Sequence, residues 1–338
     1  MRKLASIQKI KALEPIQDAD AIEKATVLGW QLVVKKNEFK VGDLCVYCEI
    51  DSQFPDKPEF EFLKPRGMRI RTIRLRGQIS QGICFPLSIL PNDFEIEEDK
   101  DCTTILEIIK YEPPIPACLN GKVKGNFPSF IPKTDETRIQ VLQDLLDVCK
   151  DEVCFVTEKL DGSSVTYFLK DKEFGVCSRN LELLEDEDNS LWKVARALDI
   201  ENKLKSLNGN FALQGELIGE GVQGNKYRFK GQTAYFFNLF NIDTYEYETN
   251  EKLQATLQQL ELKMVPVIAN DFVLTNDIET LVDHSKIKST LNKDVWAEGI
   301  VIRPIANDKY KNMSNNLLNS GRISFKAINT EFLLKHGE

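Results

Sequence analysis

Between Tyr111 and Gln140 the chain reads YEPPIPACLNGKVKGNFPSFIPKTDETRIQ, with prolines at 113, 114, 116, 128 and 132 and glycines at 121 and 125. Proline fixes φ and offers no N–H, so this composition suits a linker or extended connection, not a regular element. It divides the 338 residues in two, as their length allows. We place a first domain at 1–120, a linker at 121–134 and a second domain at 135–338.

The first part alternates in short runs, ATVLGWQLVVKK, DLCVYCEI, MRIRTIRLRG and QGICFPL, separated by Gly, Asp, Pro and Asn. That spacing fits a small five-stranded OB-like β-barrel. Within the third run Met68 and Ile70 have one parity while Ile73 and Leu75 have the other, so a strand through it breaks register near Thr72. The second part opens with TDETRIQVLQDLLDVCKD, where Ile139, Leu142, Leu145, Leu146 and Cys149 fall at helical spacing and Thr134 or Asp135 caps the start. Strand-like runs follow, from EVCFVTEKL to RISFKAIN, interrupted by the helical patterns NSLWKVARALDIENKLKSL, NEKLQATLQQLEL and DIETLVDHSKI. Strands and helices do not alternate one for one, so the expected class is α+β, with an antiparallel second domain.

No apolar run is long enough to span a bilayer, and the N-terminus lacks a secretory core, so the chain reads as intracellular, in cytoplasm or nucleus, with no membrane partner. Eight scattered cysteines in apolar patterns look like reduced core residues. Cys45 and Cys48 have C-x-x-C spacing, but no second pair follows and the two histidines, 284 and 336, are remote, so no zinc site is expected.

The net charge of −8 argues against a uniformly basic nucleic-acid coat. Averaging hides a patch: from Lys64 to Asn92 there is no acid, and KPRGMRIRTIRLRG supplies Lys64, Arg66, Arg69, Arg71, Arg74 and Arg76. On one barrel face those arginines would grip RNA phosphates; the plainer reading is a solvated basic face.

In VTEKLDGSSVT, Lys159 stands at the end of an apolar strand, two residues before Asp161 and a glycine. A lysine is nucleophilic only as the free amine, which desolvation or neighbouring cations can favour. K-x-D-G by itself is too short a pattern to carry an assignment. Glu216 in LQGELIG and Glu298 in AEGIVIRP sit on strands beside glycines, where carboxylates converge on a divalent ion or its waters. Singly, each is an ordinary strand-end charge. YFFNLFNID reads as core or as a base-stacking wall, and Lys326 in SFKAIN as a surface lysine or a phosphate contact. GEGVQG matches G-x-G-x-x-G without a surrounding βαβ unit, so it reads as a flexible loop and not a dinucleotide site.

Taken in order, Lys159-Leu-Asp-Gly, Ser178-Arg-Asn, Gln214-Gly-Glu-Leu, Phe237-Asn-Leu-Phe-Asn-Ile, Glu298-Gly-Ile-Val-Ile and Ser324-Phe-Lys resemble motifs I, Ia, III, IIIa, IV and V of the covalent nucleotidyltransferases, which include DNA ligases, RNA ligases and mRNA capping enzymes. The resemblance spans Asp135 to Asn329. DNA ligases and capping enzymes carry an OB domain after motif V, whereas here twelve residues follow Lys326 and the OB-like module comes first. That order resembles RNA ligases of the Naegleria and Deinococcus type.

The resemblance implies an N-terminal OB-like barrel followed by an antiparallel α+β nucleotidyltransferase (ATP-grasp-like ligase adenylylation) domain. It implies an ATP-dependent RNA ligase that joins 5′-phosphate and 3′-OH ends, of a nicked duplex, through a lysyl-AMP on Lys159, as a monomer. Asp161, Glu216 and Glu298 would hold the waters of Mg²⁺ or Mn²⁺. Lys326 would meet the α-phosphate, Arg138 the outer phosphates, and Arg179 the ribose or phosphate. The backbone of Glu158 would read adenine, stacked on Phe240, with Phe237 as second choice. Relatives often carry K-x-K in motif V; here Ser324 precedes Lys326, with Arg322 two residues further back. DNA sealing, GTP-dependent capping and an inactive binding protein are the alternatives. The missing C-terminal module weighs against the first two, and retention of Lys159, Asp161, Glu216, Glu298 and Lys326 against the third.

Overall fold

The computed structural model describes residues 3–112, 114–306 and 322–337. The chain forms two compact units, Met1–Pro113 with Thr330–Glu338, and Pro114–Asn329.

One long strand sets the shape of the first unit. β1 (Ala5–Pro15) pairs antiparallel through residues 5–9 with β4 (Leu44–Cys48) and through residues 10–15 with β2 (Ile22–Val27). The register shifts between Ile10 and Ala12. Such a shift bends a strand and raises its twist, which lets it serve two ladders of a closing barrel. With β3 (Trp30–Lys35) and β8 (Ile83–Phe85) the sheet order is β3-β2-β1-β4-β8, the five-stranded half-barrel of an OB fold. Cys45 and Cys48 are buried in it, and all eight cysteines are free thiols. Tyr47 packs so close to Gly82 that a Cβ there would lie 2.4 Å from its ring.

Two short pairs complete this unit: β5 (Ser52–Gln53) with β9 (Ile109–Lys110), and the hairpin of β6 (Ile73–Leu75) with β7 (Gln78–Ser80). The basic run is therefore no single strand. Arg66 ends a 3-10 helix, Arg69 makes an isolated bridge to Gln53, and regular pairing begins only at Ile73, the break expected near Thr72. The last helix, α6 (Thr330–His336), belongs to this unit, and Glu331 on it bonds Arg74.

The second unit contains two sheets. The larger runs β10-β15-β14-β13-β16-β17-β18: Val123–Asn126, Leu181–Leu183, Glu173–Cys177, Ser163–Lys170, Phe211–Gly219, Gln232–Asn241 and Glu246–Tyr247 in that order. The smaller runs β11-β21-β20-β12-β19: Thr137–Arg138, Phe325–Ile328, Gly299–Pro304, Val153–Lys159 and Val267–Val273. Among the described residues every pairing within the two sheets is antiparallel except β11 with β21.

Helices α2 (Ser190–Ala197), α3 (Ile200–Lys205) and α4 (Asn250–Gln259) cover the larger sheet, where Leu191, Leu204 and Leu257 join Val165, Tyr167 and Phe236 in one core. Asn189 caps α2 by accepting from the N–H groups of Leu191 and Trp192, and Thr249 caps α4 through Lys252. α1 (Gln143–Cys149) and α5 (Ile278–His284) cover the smaller sheet, with Leu145, Leu146 and Leu281 against Val156, Ile302 and Phe325. α1 starts at Gln143, nine residues beyond Thr134 and eight beyond Asp135, the two expected caps. Thr137 and Arg138 are extended because they pair with Phe325 and Lys326, while Ile139 and Leu142 still enter the core through a 3-10 turn. The other face of the larger sheet carries a second apolar cluster, Phe168, Cys177, Ala212 and Phe240 packed with Ile131 and Ile242.

Candidate active site

Strand parity delivers the cations. Cys154 and Val156 of β12, Ile300 and Ile302 of β20, Phe325 and Ala327 of β21, and Ile323 just before β21 lie in the helix-covered core. Their neighbours Lys159, Arg303, Ser324 and Lys326 therefore take the opposite face. Lys159 pairs with Gly299, Lys326 with Val301 on one side and Arg138 on the other. Gly299 is required for close approach, since a Cβ there would stand 2.2 Å from the Ala327 carbonyl.

Lys159 Nζ donates to Glu298 Oε2 at 2.7 Å, with both side chains largely buried. Burial pushes the ammonium down, but the carboxylates of Glu298, Glu216 and Asp161 together outweigh it, and the Lys159 pKa is raised. Glu216 is pushed up to about 8, chiefly by burial, with Glu298 and Asp161 adding like-charge repulsion against the pull of Lys159 and the Gly162 N–H. Lys326 falls to about 7 through burial and then repulsion from Lys159 and Arg138. Three carboxylates and three cations thus occupy one electrostatic neighbourhood between the sheets. Among the described residues no three His, Cys, Asp or Glu side chains converge to ligate one ion directly. Hard oxygens at longer range fit an ion that retains its waters.

Asp161 is gripped by residues from the loop that follows Glu216. Lys226 forms a close ion pair with its carboxylate, and Tyr227 Oη accepts its backbone N–H at 2.7 Å. That loop includes GEGVQG, and just beyond it Asn225 bonds both the N–H and the carbonyl of Phe229, at 3.0 and 2.8 Å. Lys226 and Tyr227 carry no periodic or motif signal, because their partner Asp161 lies 65 and 66 residues earlier.

Other expected residues separate. Glu158 is buried, its N–H donates to Pro266 O at 2.8 Å, and its carboxylate accepts from Ser289 Oγ at 2.5 Å and Thr290 N–H at 2.8 Å. Arg179 is exposed and pairs with Asp135 at 2.7 Å. Phe240 is 1% exposed, packed with Phe168 and Ile242 and edge-on to Tyr245 and Tyr247, so it offers no face to a purine. Phe237 is half-buried and packs near Leu160 and Tyr227, beside the Lys159 turn. Phe237 thus displaces Phe240 as the accessible ring.

The motif V serine has a partner of its own. Ser324 Oγ accepts from Arg303 Nε at 3.0 Å, and Arg303 also donates to Phe237 O and approaches Glu136 at 3.4 Å. Arg322 bonds Asn238 and lies 3.8 Å over the Tyr247 ring, with its pKa lowered to about 10 by burial and by Arg303. Arg303 is a buried cation that motif order did not single out.

In the first unit the arginines divide. Arg69 is 7% exposed, pairs with Asp51 at 3.1 Å and stacks 3.7 Å over Tyr111. It is a structural residue, which corrects the expectation that all five arginines face RNA. Arg66, Arg71 and Arg76 are exposed, and Arg74 is exposed while paired to Glu331.

A lysine held by carboxylates at a strand end, with a second lysine two strands away, is the arrangement of a covalent nucleotidyltransferase. An OB-fold domain model matches residues 4–87, and the RNA ligase family model matches residues 152–328. The chain belongs to the RNA ligase family. It is similar to Naegleria gruberi RNA ligase in an apo aspartate mutant, at 39% identity and TM-score 0.89 over 99% of this chain and 98% of that one. A lysine mutant of the Naegleria enzyme with ATP and Mn gives 40%, 0.90 and 99% of both chains. The same enzyme with PPi gives 40% and 0.90 over 100% of this chain and 99% of that one. No curated protein matches. Among the described residues no helix is long and apolar enough to cross a membrane.

Proposed function

We propose that this RNA ligase seals RNA through an adenylate carried on Lys159. The amine attacks the α-phosphorus of ATP, a P–N bond forms, and pyrophosphate leaves. An oxygen of the RNA 5′-phosphate then attacks the same phosphorus, the P–N bond breaks, and the amine is restored. The RNA 3′-hydroxyl attacks the 5′-phosphorus last, forming the phosphodiester and releasing AMP. The observation that carries this reading is Lys159 bonded to Glu298 at 2.7 Å, with Glu216 and Asp161 acting on the same ammonium.

Such displacement depends on positioning and charge neutralisation more than on covalent help from the protein. Lys326, in register with Arg138, meets the α-phosphate while Arg138 meets the outer phosphates. Arg179 contacts the ribose or a phosphate. Phe237 stacks on adenine, and the Glu158 carbonyl reads its edge, since the N–H is committed to Pro266. Asp161, Glu216 and Glu298 hold the waters of a divalent ion, Mg²⁺ or Mn²⁺, as the solved Naegleria complexes with Mn support. When bound, that ion neutralises phosphate charge and cancels the carboxylates' pull on Lys159, freeing the amine. The substrate is a nicked duplex, engaged by Arg66, Arg71, Arg74 and Arg76, and the enzyme acts as a monomer. Eight unbridged thiols suit a reducing intracellular compartment, cytoplasm or nucleus.

The test incubates the protein with α-labelled ATP and Mg²⁺ or Mn²⁺. Acid-stable label on wild type and none on Lys159→Ala is the expected result. Label that persists without Lys159 refutes the assignment.

A further inference from the structure

Asp161 has two expected duties, shaping the turn after Lys159 and facing a divalent ion, yet in this structure its carboxylate is paired with Lys226. The two side chains are 16% and 11% exposed, so the pair is screened far less than a surface one. Lys226 cannot easily drift, because Tyr227, next in sequence, is buried, accepts the Asp161 N–H at 2.7 Å, and offers its carbonyl to Asn292 Nδ2 at 3.4 Å. A fixed ammonium therefore sits on one of the three carboxylates that the proposed metal site uses. None of the motifs that define the site includes it.

We propose that Lys226 is a positioning residue that holds Asp161 in place while no ion is bound and sets the affinity of the ATP-free enzyme for its divalent ion. This rests on the metal role assigned above to Asp161. The physics has two opposed parts. As a hydrogen-bond donor Lys226 pre-orients the carboxylate, which helps an ion. As a unit positive charge on that carboxylate it repels one, and the second effect is the larger. At roughly 6 Å a unit charge repels a divalent ion, even with water-like screening, by enough to cost about tenfold in affinity. The ATP-free enzyme is thereby kept from loading its ion tightly before the negatively charged nucleotide arrives. Lys159 and Lys226 together offset two of the three carboxylates until then.

The experiment titrates Mn²⁺ into the ATP-free full-length protein and follows free Mn²⁺ by electron paramagnetic resonance, a readout independent of ligation. Lys226→Met is expected to bind Mn²⁺ about tenfold more tightly than wild type, and Lys226→Arg, which keeps the charge, within about twofold of it. Lys226→Gln, which keeps a donor to Asp161 without the charge, is measured in parallel and is expected to tighten binding as well, so the test stands if the methionine variant does not fold. A purely structural lysine would give the opposite sign, since loosening Asp161 weakens the site. Binding unchanged or weakened in the uncharged variants overturns the proposal. Asp161→Asn separates the two levels: if it leaves Mn²⁺ affinity intact, the metal role of Asp161 fails and the proposal falls with it.

Discussion

Lys326→Met separates two things that this lysine does. In the ATP-free protein, burial and then repulsion from Lys159 and Arg138 lower its pKa from 10.5 to about 7. In the unfolded chain it titrates near its ordinary value, so between about pH 7 and pH 10 the unfolded state binds more protons. Wild-type stability therefore rises with pH across that window, and the whole cost of the buried cation is present below it. At about 1.4 kcal/mol per pH unit the ceiling on that cost is ~5 kcal/mol. Lys326 is partly exposed and its surroundings relax, so we expect about 1–2 kcal/mol to be recovered by methionine near neutral pH. For a unit of this size that raises Tm by about 2–8 °C. Methionine cannot neutralise a phosphate, so adenylation should fall by about 100-fold. Thermal melts at about pH 6.5 and about pH 9.5, beside labelled-adenylate formation, check both halves. The gain in Tm should shrink at the higher pH. A variant less stable than wild type at the lower pH, or a gain that grows with pH, refutes the electrostatic reasoning.

Phe237→Ala should raise the KM for ATP about tenfold with little loss of stability, whereas Phe240→Ala should cost about 3–5 kcal/mol in a denaturant melt as a buried ring is removed. For RNA binding, Arg71→Ala with Arg76→Ala should lower the slope of log K against log salt by about 2, while Arg69→Ala should leave it unchanged and lower stability by ~1–3 kcal/mol. Glu216, raised to about 8, must ionise to face an ion. Its folded form holds a proton that the unfolded form loses, so it lowers stability as pH rises from about 4.5 to about 8, and Mn²⁺ affinity should climb over the upper part of that range. Calorimetry in two buffers should show proton release on Mn²⁺ binding that disappears in Glu216→Gln.

The residues legible in the sequence were those that strand order itself presents. Lys159, Glu216 and Lys326 stand on strands of two sheets whose alternation can be read locally, Glu298 immediately precedes β20, and the short motifs around them occur in a telling order. What stayed hidden depends on distant pairing. The ladder between β16 and β17 shifts register at Gln214 and Gly215, opposite Asn238 and Phe236, so simple alternation cannot say which aromatic of YFFNLFN faces the cleft. The shift leaves Phe237 accessible and sinks Phe240. Arg69 looks like any other member of a basic run until Asp51 and Tyr111 are brought against it. Thr137 and Arg138 lie in a stretch with helical periodicity but are drawn straight by a strand nearly 190 residues away in sequence. Lys226 reaches Asp161 only because the loop between β16 and β17 folds back over the Lys159 turn.

The central claim is that one nitrogen carries the nucleotide. Incubation of the full chain with ATP and Mn²⁺, followed by peptide mass spectrometry, tests it most directly. The account predicts a single AMP on the peptide containing Lys159, removed when RNA with a 5′-phosphate is added. AMP on Lys226, Lys326 or any other residue, or an adduct that RNA ends do not discharge, contradicts it.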